Sequence, residues 1–230
     1  MKTIGLIGGM SWESTVPYYQ IINEEVKNRL GGLHSAKIVL YSVEFDEIER
    51  CQSSGDWEKS GQILGKAAQG LEAAGAAFLL ICTNTMHKVA PQVAAMVGIP
   101  IVHIADATAD ELEKRGIQRA GLLGTRYTMT GDFYKQILID RGIDVVIPDE
   151  ADIDLVNDVI FHELCVGEIR AESRGEFQRI IGGLARKGAQ AVILGCTEIG
   201  LLIQQSDSPL PVFDTTVIHA KRAAGMALDG

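Results

Sequence analysis

The residues best suited to chemistry stand where two apolar, strand-like runs give way to polar loops. One is Ile81-Cys82-Thr83-Asn84-Thr85-Met86-His87, the other Leu194-Gly195-Cys196-Thr197-Glu198-Ile199. The windows before them align without a gap, Gly70 to Asn84 over Gly183 to Thr197. In that register Cys196 falls opposite Thr83, and Cys82 falls opposite Gly195. A thiol ionises close to neutrality and suits the role of base. A hydroxyl can give a proton but is a very weak acid. If the two stood on either side of a small ligand, one could take a proton from one face of a carbon and the other return it to the opposite face. The carbon would be inverted, and the unequal pair predicts unequal catalysis of the two enantiomers.

Each residue also has a plainer reading. A free cysteine is most often a small buried hydrophobe. Gly195 before Cys196 and Thr197-Glu198 after it place it in a strand-end loop instead. Thr83-Asn84-Thr85 could be a helix N-cap cluster, which is compatible with holding a carboxylate. Cys82 would point opposite to Thr83 along a strand and is read as core, while Cys51 and Cys165 are read as structural. Gly8-Gly9-Met10 lacks both phosphate-loop patterns. It is read as a tight turn whose backbone N–H groups could approach a small anion. The five histidines show no HxH or HExxH spacing, so no metal is expected. His87 stands either as an ordinary first-turn helix residue or as a functional group.

The elements that must position these residues alternate. Strand character is expected at 3–7, 37–42, 78–82, 101–104 (ending at Asp106), 120–123, 145–147, 191–194 and 211–214, with amphipathic helical patterns between them. Pro17 is expected early in the first helix, where its missing N–H costs least. The region 86–97 should bend or restart at Pro91, and helices are expected over 107–115 and 215–228. Alternation of this kind predicts βαβ units and parallel sheets covered on both faces. Gly5-Leu6-Ile7-Gly8-Gly9 is echoed by Gly121-Leu122-Leu123-Gly124-Thr125, and Pro100-Ile101-Val102 by Pro211-Val212-Phe213. Three matches in the same order predict a duplicated α/β half, with a pseudo-twofold axis and a ligand cleft at the strand ends. The expected domains are 1–106 plus 211–230, and 107–210.

Composition narrows the function classes. The chain has 230 residues, 47% hydrophobic and 22% charged, with a net charge of −9. It has no long basic cluster, which argues against nucleic acid as a partner. No apolar stretch approaches membrane-span length, no leader pattern is evident, and four widely spaced cysteines suggest reduced thiols. A cytoplasmic protein is expected.

Taken together, Asn84-Thr85-Met86-His87, Leu123-Gly124-Thr125 with Thr128, and Gly195-Cys196-Thr197-Glu198-Ile199 resemble the aspartate/glutamate racemase family, which works without pyridoxal phosphate. The likeness runs from Gly5 to Thr215. It implies two similar Rossmann-like parallel-sheet domains, an active site in the cleft between them, a homodimer, an amino-acid substrate, no cofactor, and two cysteines as acid and base. This chain departs at the first cysteine, where it has Thr83, and so matches a subgroup with threonine there. The resemblance makes Thr83 and Cys196 catalytic. It makes Met10, Gln52, Asn84, Thr85, Thr125, Thr197 and Glu198 substrate-binding, with Asn84 and Thr85 on the carboxylate. No Arg or Lys clamp for an acidic side chain stands out, so aspartate, glutamate and neutral amino acids remain open. Two other readings keep the fold: a single-thiol decarboxylase or isomerase, and a non-catalytic amino-acid-binding protein.

Overall fold

The computed structural model describes residues 1–229. It divides into two compact units, residues 1–104 with the segment from His219 onward, and residues 105–218. The first unit runs β1 (Ile4–Gly8), α1 (Trp12–Leu30), β2 (Ile38–Ser42), α2 (Phe45–Ser54), α3 (Trp57–Ala73) and β3 (Phe78–Ile81). A 3-10 turn over Thr85–Val89 and α4 (Ala90–Ala94) follow. The second begins with α5 (Ile104–Lys114), whose first residue still belongs to the first unit, and continues with β4 (Arg119–Gly124), α6 (Arg126–Thr130), α7 (Asp132–Asp140) and β5 (Asp144–Val146). Then come α8 (Glu150–His162), α9 (Ala171–Arg186), β6 (Ala191–Gly195), α10 (Ile199–Leu202) and β7 (Val212–Asp214), and α11 (Thr215–Leu228) starts in the second unit and passes into the first at His219. Both sheets are parallel, ordered β2-β1-β3 and β5-β4-β6-β7.

Strand period decides the cores. In the first unit Ile4, Leu6, Phe78, Leu80 and Cys82 pack on Tyr18, Ile22 and Val26 of α1 and on Ala220, Ala223, Ala224 and Ala227 of α11. The alternate residues Ile7, Leu79 and Ile81 pack on Leu64, Ala67, Ala68 and Leu71 of α3 and on Met86 and Val93. Successive side chains thus enter opposite faces, as a pleated strand requires. Gly5 is needed because a Cβ there would lie 2.6 Å from Leu79 Cδ2. In the second unit Leu123, Val192 and Leu194 face Ile153, Val156 and Ile160 of α8 and Phe177, Ile181 and Leu184 of α9.

The likeness of the two units is visible in the hydrogen-bond frame of each sheet. Gly5 pairs with Leu79, and Gly121 pairs with Val192. Leu79 N–H donates to Pro100 O at 2.9 Å, and Val192 N–H donates to Pro211 O at 2.9 Å. The turns before the strands match as well. Ala76 N–H donates to Leu71 O and Ala189 N–H to Leu184 O, while Gly75 and Gly188 take positive φ of 90° and 87°.

Four expectations are corrected. The strand placed at 101–104 is a single bridge between Leu79 and Ile101, and α5 already begins at Ile104, ahead of Asp106. The ladder ends there because the Val102 carbonyl accepts a hydrogen bond from His219 and the Ile104 N–H donates to His87. The return to the first unit comes at His219, not at 211, since β7 is hydrogen-bonded to β6. Pro17 is the sixth residue of α1, inside the helix and past its first turn. Gly9 N–H, expected to face an anion, donates to Thr15 Oγ1 at 2.9 Å, and Thr15 Oγ1 donates to Ser11 O at 2.7 Å.

Candidate active site

In the first unit the β3 ladder ends where Cys82 N–H donates to Ile7 O at 2.9 Å. Cys82 is fully buried, and burial pushes its thiol well above the ordinary cysteine range, so it is an inert core group. Thr83 follows with its carbonyl accepting from His87 Nδ1 at 2.8 Å. Its hydroxyl makes no hydrogen bond to the described residues. Asn84 and Thr85 are buried, Thr85 opening the 3-10 turn. Gln52, buried on α2, donates to Met86 Sδ at 3.0 Å, and Met86 shares its core cluster with Met10 and Ile81. Met10, Gln52 and Met86 are therefore gathered on the face of the sheet that carries Ile81, the parity that Thr83 would continue.

The second unit arranges the matching position differently. Cys196 follows Gly195, the last ladder residue, and continues the buried face of Val192 and Leu194. The Leu194 carbonyl accepts from Thr215 Oγ1 at 2.8 Å, which fixes the strand end from the start of α11. Cys196 Sγ donates to Glu198 Oε2 at 2.9 Å, and Thr197 Oγ1 donates to the same oxygen at 2.9 Å. Burial first, and then the Glu198 charge, hold the Cys196 thiol well above its usual range. Its raised pKa makes the thiol resist ionisation, and it donates to the Glu198 carboxylate. Thr125 caps α6 by accepting from Thr128 N at 3.3 Å, and its hydroxyl lies 3.2 Å from that of Thr128. This turn lies against Gly195: a Cβ on Gly124 would come 2.7 Å from Gly195 O. Thr125, Thr128, Cys196, Thr197 and Glu198 are thus held at the adjacent ends of β4 and β6.

Sequence reasoning left His87 open and missed two further imidazoles of the first unit, His103 and His219. His87, left open above, is buried and accepts at Nε2 from Ile104 N–H at 3.2 Å. An amide can only donate, so the ring proton sits on Nδ1, which donates to Thr83 O. His219 Nε2 donates to Val102 O at 2.8 Å while its Nδ1 accepts from Tyr18 Oη at 2.9 Å. Burial lowers both rings, His219 to about 3, so both are neutral. The His103 ring packs 4.4 Å from His87, centroid to centroid. Spacing alone offered one hint, the i to i+4 relation of Thr83 and His87. Among the described residues, no cluster of three or more His, Cys, Asp or Glu could hold a metal, and no helix is long and apolar enough to cross a membrane.

The fold is shared with known proteins. A crystal structure of a candidate Asp/Glu racemase from Yersinia pestis is 55% identical, covers 99% of this chain and 100% of its own, and superposes with a TM-score of 0.91. An aspartate racemase homologue from Pyrococcus horikoshii OT3 is 38% identical with a TM-score of 0.85, covering 99% of this chain and 100% of its own. The broad specificity amino-acid racemase RacX of Bacillus subtilis (strain 168) is 23% identical over 221 residues, 95% of each chain. The sequence pattern of the Asp/Glu/hydantoin racemase family matches residues 7–223, so the chain belongs to that family and is an isomerase of the racemase type.

Proposed function

We propose that the protein racemises an amino acid of the aspartate/glutamate type, without a cofactor, by passing protons between the substrate α-carbon and two groups, Cys196 and Thr83. The observation that carries this reading is the matched register. Gly5 with Leu79 and Gly121 with Val192 place Thr83 and Cys196 at the same step beyond equivalent strands. The thiol beside Glu198 supports a base whose proton has somewhere to go, and the Thr83 hydroxyl, free of internal hydrogen bonds, supports a group available to a ligand. Met10, Gln52, Asn84, Thr85, Thr125 and Thr197 are assigned to substrate binding, Asn84 and Thr85 to the carboxylate. The aspartate named for the P. horikoshii relative and the broad specificity named for RacX support the choice of substrates. A homodimer belongs to the same reading. The exposed Trp12, Val16 and Tyr19, at i, i+4 and i+7 along α1, support it, and sedimentation would check it.

The test is incubation of the pure protein with L-Asp, L-Glu and neutral amino acids in deuterium oxide without added cofactor. Solvent deuterium at the α-carbon together with D-product is expected. A folded protein that exchanges none of them would remove the proposal. A second reading is favoured by one observation, that only one of the two matched positions is a thiol. It has Cys196 alone protonating a decarboxylated intermediate or adding to a substrate. Thr83→Ala separates the two: two-sided transfer should collapse, and one-thiol chemistry should continue.

A further inference from the structure

His87 is a buried group that the proposed reaction leaves without a duty. It stands four residues past Thr83 and binds backbone at both nitrogens, the Thr83 carbonyl at 2.8 Å and the Ile104 N–H at 3.2 Å. The ring in a single tautomer satisfies one buried acceptor and one buried donor at once. The segment it holds is gripped a second time, by His219 Nε2 on the Val102 carbonyl at 2.8 Å, and His219 is anchored by Tyr18. Val102 N–H in turn donates to Leu79 O at 2.8 Å, in the middle of β3. Thr83 lies beyond the last ladder bond of β3, so no strand neighbour fixes its peptide. The His87 ring does so instead, and it ties that peptide to a segment bonded back to the same strand.

We infer that His87 is a positioning residue for Thr83, setting where the Thr83 hydroxyl stands by holding its carbonyl to the Val102–Ile104 segment. The inference rests on the reading of Thr83 as one of the two proton-transfer groups. A displacement of about 1 Å in such a group is enough to cost on the order of 100-fold in rate. The ring itself touches neither substrate nor the transferred proton in this assignment.

The test compares His87→Phe, His87→Asn and His87→Gln with Thr83→Ala, each assayed by formation of D-product from L-Asp and L-Glu, a readout that needs proton transfer on both faces. Phe keeps the ring volume and loses both hydrogen bonds. Asn can return the donor at the Nδ1 place, toward Thr83. Gln can reach only the Nε2 place, toward Ile104. The expected result for His87→Phe is a kcat lower by about 100-fold with KM changed less than about threefold, the pattern of misplaced chemistry without lost binding. His87→Asn should recover more of that kcat than His87→Gln. The double variant of Thr83→Ala and His87→Phe should be no slower than Thr83→Ala alone, because a positioner has nothing left to position. A His87→Phe enzyme with wild-type kcat overturns the inference. So does equal recovery by Asn and Gln, which would mark a structural clamp. Should the Phe variant not fold, the Asn and Gln variants decide the matter, checked by thermal unfolding, and wild-type kcat in both overturns it. If Thr83→Ala keeps the wild-type rate, the reading of Thr83 fails and the inference falls with it. If Thr83→Ala is inactive while His87→Phe is not, only the inference falls.

Discussion

The ends of β3 and β6 sit in the same hydrogen-bond frame and hold their first polar residue by different means. At β6 the grip is on the side chain: the Cys196 thiol and the Thr197 hydroxyl converge on one Glu198 carboxylate oxygen. At β3 the grip is on the backbone: the Thr83 carbonyl is taken by His87, and the hydroxyl makes no hydrogen bond to the described residues. In the proposed reaction the thiol gives up a proton, and Glu198 is the acceptor beside it. In the same proposal the Thr83 hydroxyl has no such acceptor and depends on placement. The two sheets share a hydrogen-bond frame and differ in the residues past the last ladder bond.

The strongest way to break this contrast is to remove the side held by its side chain. Cys196→Ala should lower racemisation by on the order of 10,000-fold, the upper end for a single acid–base group, measured as D-product from the L-amino acid. Thr83→Ala should fall by on the order of 100-fold, the lower end, and should retain α-proton exchange without inversion on the face served by Cys196. If both variants lose exchange equally, the asymmetry is wrong.

Acid should separate the units. His87 and His219 are neutral and buried in the first unit, their folded pKa values depressed below the 6.5 of the free ring. The stability they allow is fully present above pH 6.5 and is lost as pH falls, because the unfolded chain binds protons that the native rings refuse. For His219 the loss is about 1.4 kcal/mol for each pH unit below 6.5, ending near pH 3. Hydrogen exchange at pH 5 should therefore open amides of β1 and β3 before those of β4 and β6.

Glu198→Gln sharpens the comparison from the other side. The carboxylate is one of the charges that raise the Cys196 thiol, so a neutral amide should move the thiol titration down, read from the pH dependence of alkylation. The smallest effect is expected at Cys82. Cys82→Ala removes a core sulfur at a cost of about 1 kcal/mol and should leave the rate unchanged, which a kinetic assay beside a melting curve would show.

Much of this frame could be read from residue order, because strand period and glycine placement are local. The ungapped alignment put Leu79 over Val192 and Cys82 over Gly195, and the sheet registers carry the same offset. The helix over 215–228 is where its pattern put it. What was hidden depends on distant partners. His219 reaches Val102 across 117 residues, and neither has a motif that announces the other. The segment after Pro100 has strand-forming residues, yet its backbone groups are taken by two imidazoles, and side-chain periodicity cannot report that. Gly9 looked available to an anion until Thr15, six residues on, claimed its N–H. The place of β7 was misjudged because an echo of Pro100-Ile101-Val102 marks an equivalent element, not a shared domain.

One consequence concerns the order of synthesis. The second unit is a continuous stretch, 105–218, and every residue of its buried cluster has been made by the time Ile218 emerges. The first unit is split. The face of β1 and β3 that carries Ile4, Leu6, Phe78 and Leu80 is closed by Ala220, Ala223, Ala224 and Ala227, which the ribosome adds only after the whole second unit. The earlier-made sheet must therefore wait with that apolar side covered only by α1 while the later-made one can already complete its packing, the reverse of the usual N-terminal-first sequence of domain folding.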